Sequence, residues 1–363
     1  MSKFIHLFSV LLFFTLFFLL VFCDKNTSPL NSEQPIQGQW EIFYGDSLND
    51  TALCVKQTDD DNYIVVGKKN GYFVIDEMSQ IEKSDMLIMK IDMRGSIVWD
   101  NNMFSGIAKS VVETAEADLI IGGRAENNKN IIKLSKNGDV IWQKTMQTSI
   151  NSIKQLSNNG FIAAGTHEGQ IIITRINTEG DIIWEKGYGY GCANCIHETD
   201  SCEFIVAAGN GDGLIIKLDE HGNKEWEYRF GGDTNDDALS IQQTNDFGYI
   251  VAGHADLDEN GTKMYVLKLD YHGSKEWDKI LDGASINSIK QTSDGGYIIA
   301  GWDWDSNARV IKLDKNGVKL WDEKLLIGTA YSILETDDFN YVVVGEIRID
   351  WENYDVFIKH LVP

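Results

Sequence analysis

Oxygen-bearing side chains spaced to converge on a cation are the first candidates for chemistry in this chain. Asp256, Asp258 and Asn260 open the run DLDENG with the D-x-D-x-N-G spacing of a calcium loop, and Asp303, Asp305 and Asn307 repeat D-x-D-x-N. Alternate oxygens at that spacing turn toward one point, which suits a hard cation such as Ca2+. The twelfth position from Asp256 is Leu267 and not Glu, so a weak calcium site at either loop stands beside the reading of a solvated acidic turn. A second pair of carboxylates, Asp50 and Asp236, occupies matching places in two parts of the chain. Two carboxylates at a channel mouth could serve a polysaccharide hydrolase or lyase, and they could equally be turn formers.

Cys192, Cys195 and Cys202 with His197 have the composition of a zinc cluster. Their positions speak against it. Cys195 and Cys54 stand in a slot that other parts of the chain fill with Ser110, Ser152, Ser240, Ser288 and Ser332. Cys192 and Cys202 fall at opposite ends of one expected strand, which rises about 3.3 Å per residue, too far apart for a disulfide. Free thiols are expected. No HExxH, GxSxG or phosphate-binding glycine loop occurs.

Aromatic residues offer a different kind of site. Trp302, Trp304, Trp351 and Tyr354 lie in segments that break an otherwise regular pattern, beside carboxylates. That mixture suits recognition of a protein, peptide or glycan. The chain carries a formal net charge of −23, which repels phosphate backbones and argues against nucleic acid as a partner.

The elements that must position these residues are repeats. KLDKNGVKLW (312–321) recurs as KIDMRGSIVW, KLSKNGDVIW, RINTEGDIIW, KLDEHGNKEW and KLDYHGSKEW, with a period of about 42 residues. Upstream of each lies a second pattern, of the type INSIKQTSDGGYIIAG (286–301), present in seven copies. Each unit therefore reads as four antiparallel strands: an alternating strand ending in Thr, a continuous apolar strand, the KLD strand and the Trp strand. With 33 Gly and only 3 Pro, many strands joined by tight turns fit the composition. Seven four-stranded units predict an all-β, seven-bladed β-propeller over residues 37–363. The seventh unit lacks a Trp strand, and the orphan segment QGQWEIFY (37–44) at the start supplies one. That segment is expected to complete the last blade, and each Trp to pack between its own blade and the next.

The pattern KLDxxGxxxW resembles the tryptophan-docking repeat of quinoprotein-type (PQQ-like) β-propellers, and the GGYIIAG-plus-KLD form is similar to repeats of exported bacterial and archaeal lipoproteins. The resemblance implies fold and leaves function open, because propellers host enzymes and passive scaffolds alike. No cofactor is expected beyond the possible Ca2+.

Residues 1–23 have a basic start and an apolar run from Leu7 to Phe22 that ends at Cys23. This resembles a bacterial lipoprotein signal, which would make Cys23 the lipidated residue. A plain cleaved signal and an uncleaved anchor stay open, because Phe22 stands where that family has a small residue. Residues 24–36 read as a flexible tether. The sequence thus points to an exported, membrane-anchored monomer at the cell envelope or surface. Its expected role is a non-enzymatic binding scaffold acting through the irregular loops, with the hydrolase or lyase as the alternative.

Overall fold

The computed structural model describes residues 39–46, 48–76, 79–126, 128–232, 236–256, 261–350 and 353–362, with side chains 73–82 excepted. The expectations for residues 1–36, Cys23 among them, lie outside those residues. Every regular element among the described residues is a strand.

A short strand, β1 (Trp40–Tyr44), comes first. Five four-stranded antiparallel sheets follow in chain order. They are β2–β5 (Asn49–Gln57, Tyr63–Asp76, Ser79–Ile91, Ile97–Asn101), β6–β9 (Gly106–Glu113, Leu119–Ala125, Ile131–Leu134, Val140–Lys144), β10–β13 (Ser149–Gln155, Phe161–His167, Gln170–Ile176, Ile182–Tyr190), β14–β17 (Cys192–Glu198, Phe204–Gly209, Gly213–Leu218, Lys224–Phe230) and β18–β21 (Asp237–Gln243, Tyr249–Ala255, Lys263–Leu269, Lys275–Leu281). The sixth sheet has seven strands in the order β1-β27-β26-β25-β24-β23-β22. Its members are β22 (Ser285–Gln291), β23 (Tyr297–Trp302), β24 (Asn307–Leu313), β25 (Lys319–Glu335), β26 (Tyr341–Arg348) and β27 (Tyr354–Leu361). Strand β25 is long enough to pair twice. Its first half runs against β24, Lys312 opposite Trp321, and its second half against β26, Ile333 opposite Val343. Strand β1 pairs with β27 from Trp40↔His360 to Tyr44↔Val356, so the first and last described strands are joined as expected.

Each sheet covers the face of the next. Val65 and Met89 meet Val344 and Ile358 on one side of β2–β5, while Val66 and Ile88 meet Ile121 and Ile132 on the other. The two halves of the seven-stranded sheet also face each other, through Ala300 and Val310 against Val343 and Phe357. The continuous apolar runs such as FIVAAG are buried along their whole length, as strands covered on both faces must be.

The KLDxxG segment turns because Asp314 Oδ1 accepts the N–H groups of Asn316 and Val318, both at 2.8 Å. Gly317 follows at φ +76°, and its α-carbon rests on Trp277 of the preceding sheet, where a Cβ would come within 2.8 Å of the ring. Gly95 presents the same seat to Trp40, whose indole N–H donates to Met93 O at 2.9 Å in that turn. Five of the seven indoles also meet an aromatic ring that opens the second strand of the following repeat. The pairs Trp40–Tyr63, Trp184–Phe204, Trp226–Tyr249, Trp277–Tyr297 and Trp321–Tyr341 have centroids 5.8–6.3 Å apart and planes tilted by 54–61°. Docking between sheets is therefore as the repeat predicts. The indoles are only half-buried, and their planes are tilted or edge-on to the next ring.

A second device ties each sheet internally. Lys90, Lys217, Lys268 and Lys312 are buried on the third strand and reach a carboxylate near the turn between the first two strands. Lys90 meets Asp60 at 2.6 Å, Lys268 meets Asp246 at 3.0 Å, Lys312 meets Asp294 at 2.8 Å, and Lys217 meets Glu203. Burial alone would raise the Asp60 and Asp294 carboxyls, but hydrogen bonds from the lysines and from Thr58 and Thr292 outweigh it and hold both at about 2.

The insertion 68–84, which breaks the repeat and so reads by sequence as an irregular loop, prolongs β3 and β4 into a hairpin, with a register shift between Lys69 and Tyr72.

Trp277→Ala is expected to lower stability by about 2–3 kcal/mol, below the cost for a fully buried Trp. Gly317→Ala adds a methyl at positive φ against the same ring and should cost about 1–2 kcal/mol. Urea melts of the double variant check the seat: the Gly317→Ala cost should shrink once Trp277 is Ala. Strictly additive losses would mean that the two residues do not support each other.

Candidate functional site

Among the described residues the aromatic candidates gather on one side of the sixth sheet. Trp302 ends β23 and Tyr354 begins β27, so the two strand-connecting loops bring them to the same face. Both line a groove of about 280 Å³ whose wall also includes Tyr331, Glu346, Arg348 and Ile327. Trp304 stands beside it, 55% exposed, with its ring edge-on to Trp302 at 6.1 Å. Trp351 lies outside the described residues.

The polar floor of the groove is tied down. Tyr331 donates to Glu346 Oε1 at 3.1 Å, and Thr51 of the first sheet donates to Glu346 Oε2 at 2.7 Å. Burial first, and Glu346 second, push the Tyr331 hydroxyl far up, so it remains a donor. Arg348 Nε donates to Asp350 O at 3.0 Å. Glu346 and Tyr331 also border a second hollow of about 270 Å³ with Lys68, Lys109 and Arg124. Glu346 and Arg348 stand at the end of β26, where the sequence pattern gives no sign of their role. Tyr331 carried a signal that was passed over: it fills a slot held elsewhere by Leu, Lys or Asn.

The calcium candidates have other work. Asp303 Oδ1 accepts N–H groups from Asp305 at 3.1 Å and Asn307 at 2.9 Å, and the Asn307 amide at 2.9 Å. Its Oδ2 meets Lys324 at 2.8 Å and Arg309 at 3.3 Å. Two protein cations thus stand beside this candidate Ca2+ ligand, and Asp305 lies 3.5 Å from Lys324. Burial acts to raise Asp303, but Lys324 and Asn307 prevail and hold it at about 2. Asp256 uses its backbone N–H on Asp236, while Asp258 and Asn260 lie outside the described residues. No cluster of three or more His, Cys, Asp or Glu side chains suited to a metal occurs among the described residues.

Asp50 and Asp236 are fully buried and play the same part in two sheets. Asp50 accepts from Asp46 N at 3.0 Å and Asn70 N at 2.7 Å; Asp236 accepts from Gly232 N at 2.9 Å and Asp256 N at 2.6 Å. Both oxygens of each carboxylate are engaged in fastening a loop. Cys192 accepts from Thr166 at 3.0 Å and Asn151 at 3.1 Å, and it, Cys54, Cys195 and Cys202 are free thiols.

No protein-family model matches the chain, and no curated protein is significantly similar to it. Solved structures of similar shape are β-propellers. Streptogramin B lyase superposes with a TM-score of 0.63 at 13% identity, over 91% of this chain and 100% of that one. The WD40 β-propeller domain of Doa1 gives 0.61 at 15% identity, over 89% and 97%. BamB from Moraxella catarrhalis gives 0.50 at 13% identity, over 88% and 95%. The chain has an all-β, propeller-like fold, and at such identities the likeness extends to fold alone.

Burial, only partly countered by its two backbone hydrogen bonds, pushes Asp50 up to about 6, with Asp46 and Asp355 adding to the rise. The folded form therefore holds this proton more tightly than the unfolded chain. Its contribution to stability is fully present below about pH 4 and is lost as pH rises through about 6. Asp50→Asn should be less stable at low pH, having lost one acceptor, yet should lack this decline. Melting temperatures from pH 4 to 7 should show the gap between wild type and variant narrowing. A constant gap would contradict the assignment.

Proposed function

We propose that the protein is a non-enzymatic binding scaffold that takes a protein or peptide partner on its irregular loop face. The observation that carries this reading is the groove where Trp302, Tyr354 and Tyr331 converge beside Arg348 and Glu346. Aromatic rings and arginine dominate binding energy at protein interfaces, and an apolar patch rimmed by polar groups suits docking. Ile327 and Ile349, both more than half exposed, extend the patch with aliphatic surface. Aliphatic surface serves a protein partner better than a glycan, which stacks on rings and needs polar contacts between them. Asp50 and Asp236 are buried and hydrogen-bonded, which leaves the hydrolase or lyase alternative without an accessible carboxylate pair.

We read the ring as seven blades of the PQQ-like type, the seven-stranded sheet being two blades continuous through β25. Seven buried clusters between successive sheet faces, the last returning to the first, support this count. The chain is exported and held at the membrane by its N-terminal segment, with Cys23 the lipid-bearing residue. The KLD repeat and the apolar run before Cys23 support that placement.

Purification of the full-length protein from native membranes in mild detergent tests the scaffold. A partner should accompany the wild type and fall at least tenfold with Trp302→Ala, Trp304→Ala and Tyr354→Ala combined. Equal recovery with the variant would remove the groove from the reading, and polysaccharide cleavage by either form would restore the enzyme. Intact mass of the purified chain checks the anchor. A chain beginning at Cys23 with added acyl mass is expected, and one beginning at Met1 would make the segment an uncleaved anchor.

A further inference from the structure

The innermost strands β2, β6, β10, β14, β18, β22 and the second half of β25 surround a cavity of about 820 Å³. Its lining carries five carboxylates, Asp59, Asp61, Glu113, Glu335 and Asp337, and four lysines, and the two signs are segregated by level. Aligning the repeats places Lys56, Val112, Lys154, His197, Gln242, Lys290 and Leu334 at one level, two residues after the Ser or Cys slot. No carboxylate occupies that level. Three of the four ionisable groups there are lysines, and all three border the same cavity.

The charged neighbours of this level are accounted for. Glu113, Glu198 and Glu335 lie one residue further on and are engaged, Glu198 by Ser157 N at 2.8 Å and Ser157 Oγ at 3.1 Å. Glu113 accepts the N–H of Asp59 at 2.8 Å, and Glu335 accepts from Ser293 N at 2.7 Å and Ser293 Oγ at 3.0 Å. Asp59, Asp61 and Asp337 border the cavity at its turn end. Lys109 borders it near the other end and donates to Asn151 Oδ1 at 2.6 Å. Lys56, Lys154 and Lys290 make no side-chain hydrogen bond or ion pair with a described residue. They contrast with Lys90, Lys217, Lys268 and Lys312, each of which has its carboxylate.

Unpaired ammonium groups around one cavity repel each other, and walls of protein on every side weaken the screening of that repulsion. Burial first, and then Lys154, pull the Lys290 ammonium below its ordinary value. His197 is pushed down to about 4 by burial, with Lys154 and Lys290 acting in the same direction, so it stays neutral and can donate or accept. Such a ring gains most from an anion with enough charge to meet several lysines at once. Lysine suits this because its flexible stem brings a point charge to phosphate-like oxygens from any side.

We propose that the central channel is a binding site for a small, multiply charged oxyanion of the phosphate class, held by Lys56, Lys154 and Lys290. The site is separate from the loop-face groove and does not depend on the scaffold reading.

Calorimetric titration of the full-length protein in mild detergent with inorganic phosphate at pH 7.5, in chloride of matched ionic strength, tests it. The wild type should bind with saturable heat and melt at a higher temperature in phosphate than in chloride. Lys154→Met with Lys290→Met keeps the side-chain stems, should weaken phosphate at least tenfold, and should not lower the melting temperature in chloride. Lys56→Gln, at the more open side of the ring, should weaken it about threefold if the double variant fails to fold. Lys315→Met, an exposed lysine on a turn, should change nothing. No saturable heat with the wild type, or equal affinity in the wild type and the channel variants, would overturn the proposal.

Discussion

The fold rests on contacts between sheets, because no single sheet here can cover its own faces. A four-stranded sheet buried on both sides needs two neighbours, and every neighbour has the same need. The chain meets this with one repeated contact. An indole from one sheet rests on the glycine turn of the next and against the aromatic that opens that sheet's second strand. Trp277 between Gly317 and Tyr297 is representative. The indole cannot go deeper, since the turn it seats lies on the surface, and so it stays half-buried. Its strength comes from repetition, and the pairing of β1 with β27 joins the first and last described strands.

The inner rim adds a polar counterpart to the outer rim's tryptophans. Every first strand shifts register between its small residue and its Ser or Cys, as between Ala108 and Ser110. The extra residue of that bulge turns sideways to the next sheet. Asn151, Asn194 and Asn287 use it to donate to the carbonyls of Ala193, Ala238 and Ala330, all at 2.9 Å. The adjoining hydroxyl accepts from the next strand, Ser110 from Ile153 N at 3.2 Å and Ser240 from Ile289 N at 3.2 Å. Neighbouring sheets are thereby locked in height as well as in face-to-face packing. Loops mounted on such a frame can vary without moving the frame.

Much of this frame was legible in the sequence because each unit solves the same packing problem with the same residues. Trp at a fixed distance from a glycine turn, and a chain-initial strand carrying the missing Trp, were enough to place β1 beside β27. The ion pairs were hidden because they have no fixed spacing. Lys217 finds its acid 14 residues away, Lys312 18, Lys268 22 and Lys90 30. The insertion in β3 and β4 was misjudged because its polar residues read as loop, whereas pairing across the hairpin satisfies its backbone. Asp303 looked like a cation ligand for a similar reason. Lys324 and Arg309, which neutralise it, sit on strands later in the chain, and only pairing brings them back to the turn. The channel lysines stood in plain view, but each reads alone as a solvated strand residue until the ring gathers them.

The groove lies at one of the places where the inner amide pattern lapses, as it also does at Leu53, Lys109 and Leu239. At the bulge position of the last repeat stands Tyr331, which has no amide to give the neighbouring strand. The carbonyl that an amide there would have reached is that of Ala52, by analogy with Ala193, Ala238 and Ala330. The frame therefore loosens on both sides of the junction between the last and first repeats, and a hollow opens on either side of Tyr331. Thr51 and Tyr331 hold that junction through Glu346 in place of the usual amide-to-carbonyl bond. The Glu346 carboxylate, near the end of β26, is a looser tie than a backbone carbonyl, and it borders the groove. The same substitution that gives up a structural bond thus exposes a polar floor beneath Trp302 and Tyr354. One departure from the repeat falls where the first and last repeats meet, and the groove lies beside that junction.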